Sequence, residues 1–217
     1  MLYTFKRWWA TVAVVATILV FQQFHLFTFD RLSYDPAFIR SGEVWRLISC
    51  HFLHLNWNHV WLNLAGYAII TYSFREELPA SMELWTLLVC GLGTSLGLYF
   101  FDPAMYSYVG LSGALHGFLL AHLIRTWRSS KLFSSLFIIG VIAKLAWEHS
   151  PYADTSATAK MIGGFVAVNA HLSGGITGAS LGIILFILEK DKVYDRSWMQ
   201  KSGAVIALKN KSLNAKR

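Results

Sequence analysis

Gly110-Leu-Ser-Gly-Ala-Leu-His-Gly117 is the stretch whose reading decides the fold. It opens an apolar run that predicts a membrane helix. A serine flanked by small residues (Gly110, Ser112, Gly113) stands where that helix begins, and polar groups are costly in lipid. A second apolar run starting at His171 carries an imidazole at its own beginning.

Composition supports a membrane setting. The 217 residues are 55% hydrophobic and only 14% charged, against about 25% charged in a soluble domain. Net charge is +7, but the positives gather in short loops and at the C-terminus. That pattern reports topology and argues against a nucleic-acid partner, which would need a basic stripe with interleaved aromatics. Cys50 and Cys90 lack CxxC spacing, which speaks against a disulfide framework or a zinc-thiolate site. Lys6 and Arg7 precede a run too long for a signal h-region, with no small-residue cleavage site after it, so it reads as a retained first span.

Six spans are expected, at about Trp8–Phe27, Asn58–Tyr72, Met82–Phe101, Leu111–Thr126, Leu132–Glu148 and His171–Leu188. The fold class is an all-α membrane protein, a six-helix bundle over 1–189 with a folded outer loop from Thr28 to Leu55. Residues 190–217 form a basic tail. Lys6, Arg7, Arg75, Arg125, Arg128, Lys131 and the tail fall on one side. Only Arg31, Arg40, Arg46 and Lys160 fall on the other. The bias predicts cytoplasmic termini and a multi-pass protein in contact with lipid.

Under this topology the second, fourth and sixth spans enter from outside, beginning near His59, Ser112 and His171. The three polar groups then share one depth, a coincidence that the Lys and Arg bias does not impose. A histidine base within reach activates a serine, taking its proton and returning it to a leaving amine. No carboxylate is expected as a third member, because Asp102 and Asp154 fall in outer loops, so a Ser112–His171 dyad is the economical choice. His59 and Asn63 share a helix face and, with the Ser112 backbone N–H, form a candidate oxyanion site. Gly113 with Gly117, and Gly174 with Gly178, are small-xxx-small pairs that let two helices approach closely. His116, one turn below Ser112, is expected to stack on His171 in support, with competition as the base as the alternative. Lys144 and Glu148 are spaced to pair along one face. They read first as a structural ion pair, with substrate contact as the alternative. This chemistry calls for no cofactor and no metal.

Each signal has a plainer reading. The glycines can serve packing alone, His171 can cap a helix, and His59 and Asn63 can bond loop carbonyls. His51 and His54 read as fixing the outer loop. A haem protein built on the eight histidines would need stacked pairs on both membrane sides, and His116 and His122 sit too close together for that.

At these residues the chain resembles the rhomboid intramembrane serine proteases. The matching strings are GLSG (Gly110–Gly113), HVWLN (His59–Asn63), AHLSGGITG (Ala170–Gly178) and EVWRLIS (Glu43–Ser49). The resemblance implies Ser112 as nucleophile, His171 as base, His59 and Asn63 at the oxyanion, and membrane-anchored proteins as substrates. Many rhomboids carry tyrosine where His116 stands. GLSGALHG together with KLAWE (Lys144–Glu148) is similar to the rhombosortase subgroup. That likeness implies C-terminal Gly-Gly-type sorting segments, cut near the outer face of a bacterial inner membrane. The competing reading is an inactive rhomboid-like protein that only binds transmembrane helices. Such proteins commonly lack the serine or the histidine, and both are present here.

Overall fold

The computed structural model describes residues 2–189; the tail expected at 190–217 lies outside the described residues. Its helices in chain order are α1 (Leu2–Gln23), α2 (His25–Leu32), α3 (Pro36–Arg40), α4 (Arg46–Ser49), α5 (Trp57–Ser73) and α6 (Ala80–Phe101). They continue as α7 (Ser112–Arg125), α8 (Lys131–Glu148), α9 (Ser156–Ile162) and α10 (Val168–Leu188). Among the described residues there is no β-strand, only an isolated antiparallel bridge between Tyr34 and Tyr108.

Helices stand at all six expected positions, but their lengths differ. Among the described residues, only α6 and α10 are individually long and apolar enough to cross a membrane. α7 has 14 residues, or about 21 Å of rise, against a hydrocarbon core of about 30 Å. α8 carries Lys131, Lys144 and Glu148. The first expected span stops short of Phe27. α1 ends at Gln23 and the chain bends by 107° into α2. The Thr28 hydroxyl donates to the carbonyls of Phe21 (3.2 Å) and Phe24 (3.1 Å) across this bend. It replaces part of the broken helical ladder, a common cause of sharp kinks.

The last helix is apolar on its outer face and mostly small or polar on its inner one. α10 buries Ala170, His171, Gly174, Gly175, Gly178 and Gly182, while Ile176, Ile183, Ile184, Ile187 and Leu188 are exposed. In water this would be inverted; in lipid, helices gain from close backbone packing instead of apolar burial. A Cβ on Gly174 would strike the Gly113 carbonyl, and one on Gly178 the Gly117 carbonyl. α6 joins the same contact: a Cβ on Gly93 would hit Thr177, and one on Gly97 would hit Ser173. A buried acid unremarked in the sequence, Glu83 of α6, accepts from Thr11 (2.7 Å) and from the Tyr67 hydroxyl, joining α1, α5 and α6.

The segment from 28 to 55 is ordered by Arg46, which is only 3% exposed. Its guanidinium donates to Glu43 Oε2 (2.7 Å), Ser33 O (2.8 Å) and Asp30 O (2.8 Å). Those bonds hold α2 against α4. Two backbone links then carry this order to the start of α7. Tyr34 N–H donates to Tyr108 O at 3.0 Å, and Gly110 N–H donates to Cys50 O at 3.0 Å.

Candidate active site

Ser112 is the first residue of α7, and Gly110 precedes it at φ +128°, a conformation that side-chain-bearing residues rarely adopt. The Tyr108 hydroxyl donates to Gly110 O at 2.7 Å and pins this turn. His171 lies in the first turn of α10. The glycine contacts between α7 and α10 bring the two side chains together, and Ser112 Oγ donates to His171 Nε2 at 3.0 Å.

His171 has a second partner that the dyad expectation lacked. Its Nδ1–H donates to Glu148 Oε2 at 2.9 Å. Glu148 Oε1 in turn accepts from Lys144 Nζ at 2.5 Å. The expected i,i+4 pair therefore forms, but its carboxylate also reaches across to α10. Asp102 is engaged elsewhere, accepting from Asn169 at 2.8 Å, and Asp154 accepts from Ser156 N–H at 2.9 Å.

His116 Nδ1–H donates to Ser112 O at 2.7 Å, and its ring stacks on His171 with centroids 4.3 Å apart and planes inclined by 24°. His59 accepts from Leu55 N–H at 3.4 Å through Nδ1. Its proton then belongs on Nε2, which faces Gly110: a Cβ there would lie 2.9 Å from His59 Cε1 and Nε2. Asn63 donates one amide proton to His59 O at 3.1 Å; its other N–H is available to a bound group. His59, Asn63, Ser112, His116, Lys144 and His171 all line one cavity of about 730 Å³, within the usual size of a ligand pocket.

A second serine–histidine pair exists elsewhere. His51 Nε2 lies 2.9 Å from Ser95 Oγ. Nε2 is also 2.7 Å from Gly91 O, and Nδ1 is 3.2 Å from Gly110 O. Burial pushes the His51 ring down to about 4, against the pull of the Gly110 and Gly91 carbonyls. Ser95 is fully buried, and neither residue lines the cavity. This pair braces α6 against the turn before Ser112. The cysteines are both free and buried.

His116, Glu148 and His171 each place one donor atom within 4.8 Å of the others. The fit to a cation is poor. Both Glu148 oxygens are already hydrogen-bonded, and stacked rings hold their in-plane lone pairs in separate layers rather than converging on one point.

A model of the rhomboid domain matches residues 41–188. The chain belongs to the rhomboid family. It is an integral membrane protein of a family whose members are generally serine intramembrane proteases. It is similar to "RHOMBOID-like protein 1" of Arabidopsis thaliana, 31% identical over 155 residues, covering 69% of this chain and 36% of that protein. "RHOMBOID-like protein 5" of the same plant is 30% identical over 163 residues, covering 70% of this chain and 48% of the relative. "Putative rhomboid protease YdcA" of Bacillus subtilis (strain 168) is 25% identical over 150 residues, 69% of either chain. The chain thus spans between a third and a half of the length of the two plant relatives. The matched rhomboid domain contains every residue of the cavity's Ser112–His171–Glu148 chain.

Gly110 offers a direct test of the site's geometry in this rhomboid domain. Gly110→Ala must hold a Cβ at φ +128° and press it on the His59 ring. The strain is of order 1–3 kcal/mol. The variant should stay folded in a thermal melt, with Ser112 reactivity toward a fluorophosphonate reduced about tenfold or more. Unchanged reactivity would mean that neither the turn nor His59 matters to the serine.

Proposed function

We propose that this chain is an intramembrane serine protease. Ser112 attacks the scissile carbonyl. His171 accepts the hydroxyl proton and returns it to the leaving amine, and His59, Asn63 and the Ser112 N–H receive the oxyanion. The observation that carries this reading is the 3.0 Å contact from Ser112 Oγ to His171 Nε2 on the wall of a cavity. The helix dipole of α7 favours negative charge at the same place.

The same proposal places α1, α5, α6, α7, α8 and α10 as six membrane spans, both termini in the cytoplasm and the site toward the outer face of a bacterial inner membrane. The substrate is a membrane-anchored protein, with a Gly-Gly motif before an apolar helix and a basic tail. His116 in GLSGALHG and the KLAWE string support this rhombosortase-like assignment. Co-expression with a reporter ending in Gly-Gly, an apolar helix and basic residues tests it. Mass spectrometry of the released C-terminus should place the cut at or beside the Gly-Gly pair. Equal cleavage of a reporter carrying Val-Val there would remove the Gly-Gly assignment while leaving the protease reading intact.

A further inference from the structure

The carboxylate beside His171 does more than neutralise Lys144. A neutral imidazole carries one proton, and an ionised carboxylate only accepts. Glu148 Oε2, 2.9 Å from Nδ1, therefore fixes that proton on Nδ1. The lone pair of Nε2 is then left facing Ser112 Oγ at 3.0 Å, which is the tautomer a base requires. His116 cannot set it. Its Nδ1–H is committed to the Ser112 carbonyl, and it meets His171 only ring to ring. The cavity also holds Lys144 of α8, His116 of α7, His59 of α5, Asp154, Tyr106 and Tyr108, but among its titratable groups only Glu148 hydrogen-bonds to the ring.

We infer that Glu148 is a positioning residue for the reaction of Ser112 and His171, and that Lys144 holds it in register, so that the site works as a serine–histidine–glutamate relay. The inference rests on the serine protease reading above. As the Ser112 Oγ–carbon bond forms, the hydroxyl proton passes to His171 Nε2. Nδ1–H stays on its nitrogen and Glu148 stays ionised, stabilising the imidazolium. The Nε2 proton then leaves with the amine as the carbon–nitrogen bond breaks. Water repeats the sequence to release the acyl group and restore Ser112. Lys144 matters because a lone carboxylate at this depth is costly. One of its N–H groups also occupies Oε1, leaving Oε2 for the histidine.

Lys144 makes the test specific. In Glu148→Gln the ammonium can only donate, so it claims the amide oxygen and turns the NH₂ toward His171 Nδ1. The histidine must then carry its proton on Nε2, facing Ser112, and the base is lost. Fluorophosphonate labelling of the full chain in lipid vesicles reads this directly. The maximal labelling rate of Glu148→Gln should fall on the order of 10⁴-fold, with the half-saturating probe concentration unchanged. Adding Lys144→Met to Glu148→Gln frees the amide to flip its oxygen toward Nδ1–H, and should restore about tenfold or more. A purely structural ion pair predicts no such gain. Nitrogen-15 spectra of histidine-labelled wild type, which need no variant, should show His171 protonated at Nδ1; protonation at Nε2 overturns the inference. If wild type labels and Glu148→Gln labels at the same rate, the role of Glu148 is disproved and the protease reading survives. If Ser112 of wild type does not label at all, both fall.

Discussion

Ser112→Ala should abolish cleavage of any membrane-anchored substrate and leave the bundle standing. Removing the nucleophile of a serine protease costs on the order of 10⁶-fold in kcat, so processing should drop below detection. The structural cost is small. The hydroxyl makes one hydrogen bond, to His171, worth about 1 kcal/mol, and alanine is a good residue for the first turn of a helix. A release assay with a membrane-anchored reporter checks the activity and a thermal melt in detergent checks the fold. Residual processing at the wild-type site would show that another group does the chemistry. Ser95 is the residue to suspect then, because His51 touches it at 2.9 Å. Its burial and its absence from the cavity wall predict that Ser95→Ala leaves cleavage unchanged.

The second large effect concerns the helix contact that makes this pairing possible. Gly178→Val places a branched side chain where the Gly117 carbonyl of α7 already stands. Nothing flexible can yield there, since the obstruction is backbone. Overpacking commonly costs 1–3 kcal/mol and more when the surroundings are rigid, so a loss of at least ~3 kcal/mol is expected. Gly178 lies seven residues beyond His171, about 10 Å along α10, yet the damage should reach the site. Parting α7 from α10 stretches the 3.0 Å bond from Ser112 to His171. The variant should melt well below wild type and lose fluorophosphonate labelling. Gly140→Ala is the matched control. A Cβ at Gly140 meets nothing within 4 Å, and replacing a mid-helix glycine with alanine is neutral to slightly stabilising. Wild-type melting and labelling by Gly178→Val would mean that the glycine contact does not hold the two helices together.

The turn before α7 is shaped by three anchors. They are the Tyr108 hydroxyl, the Cys50 carbonyl and the His51 ring. All three are set by the 28–55 segment or by the short approach to α7. A change in Arg46, which ties that segment together, should therefore be felt at Ser112 without touching it.

What the sequence by itself determined is what is local in the chain. Apolar runs announced a membrane bundle. The strings around Ser112, His59 and His171 announced the family, and the spacing of Gly113 with Gly117 and of Gly174 with Gly178 announced a close helix pair. Lys144 and Glu148 were legible as neighbours on one helix face because four residues make one turn. Tertiary structure alone decided the rest. It carried the end of α8 to the start of α10, so that a carboxylate 23 residues before His171 met the ring that two loop aspartates do not reach. It added Gly93 and Gly97 of α6 to the helix contact, and bent the chain by 107° after Gln23. The physical reason is that a helix's own periodicity says which residues share a face, whereas the partner that face meets depends on how the connecting segments return the chain.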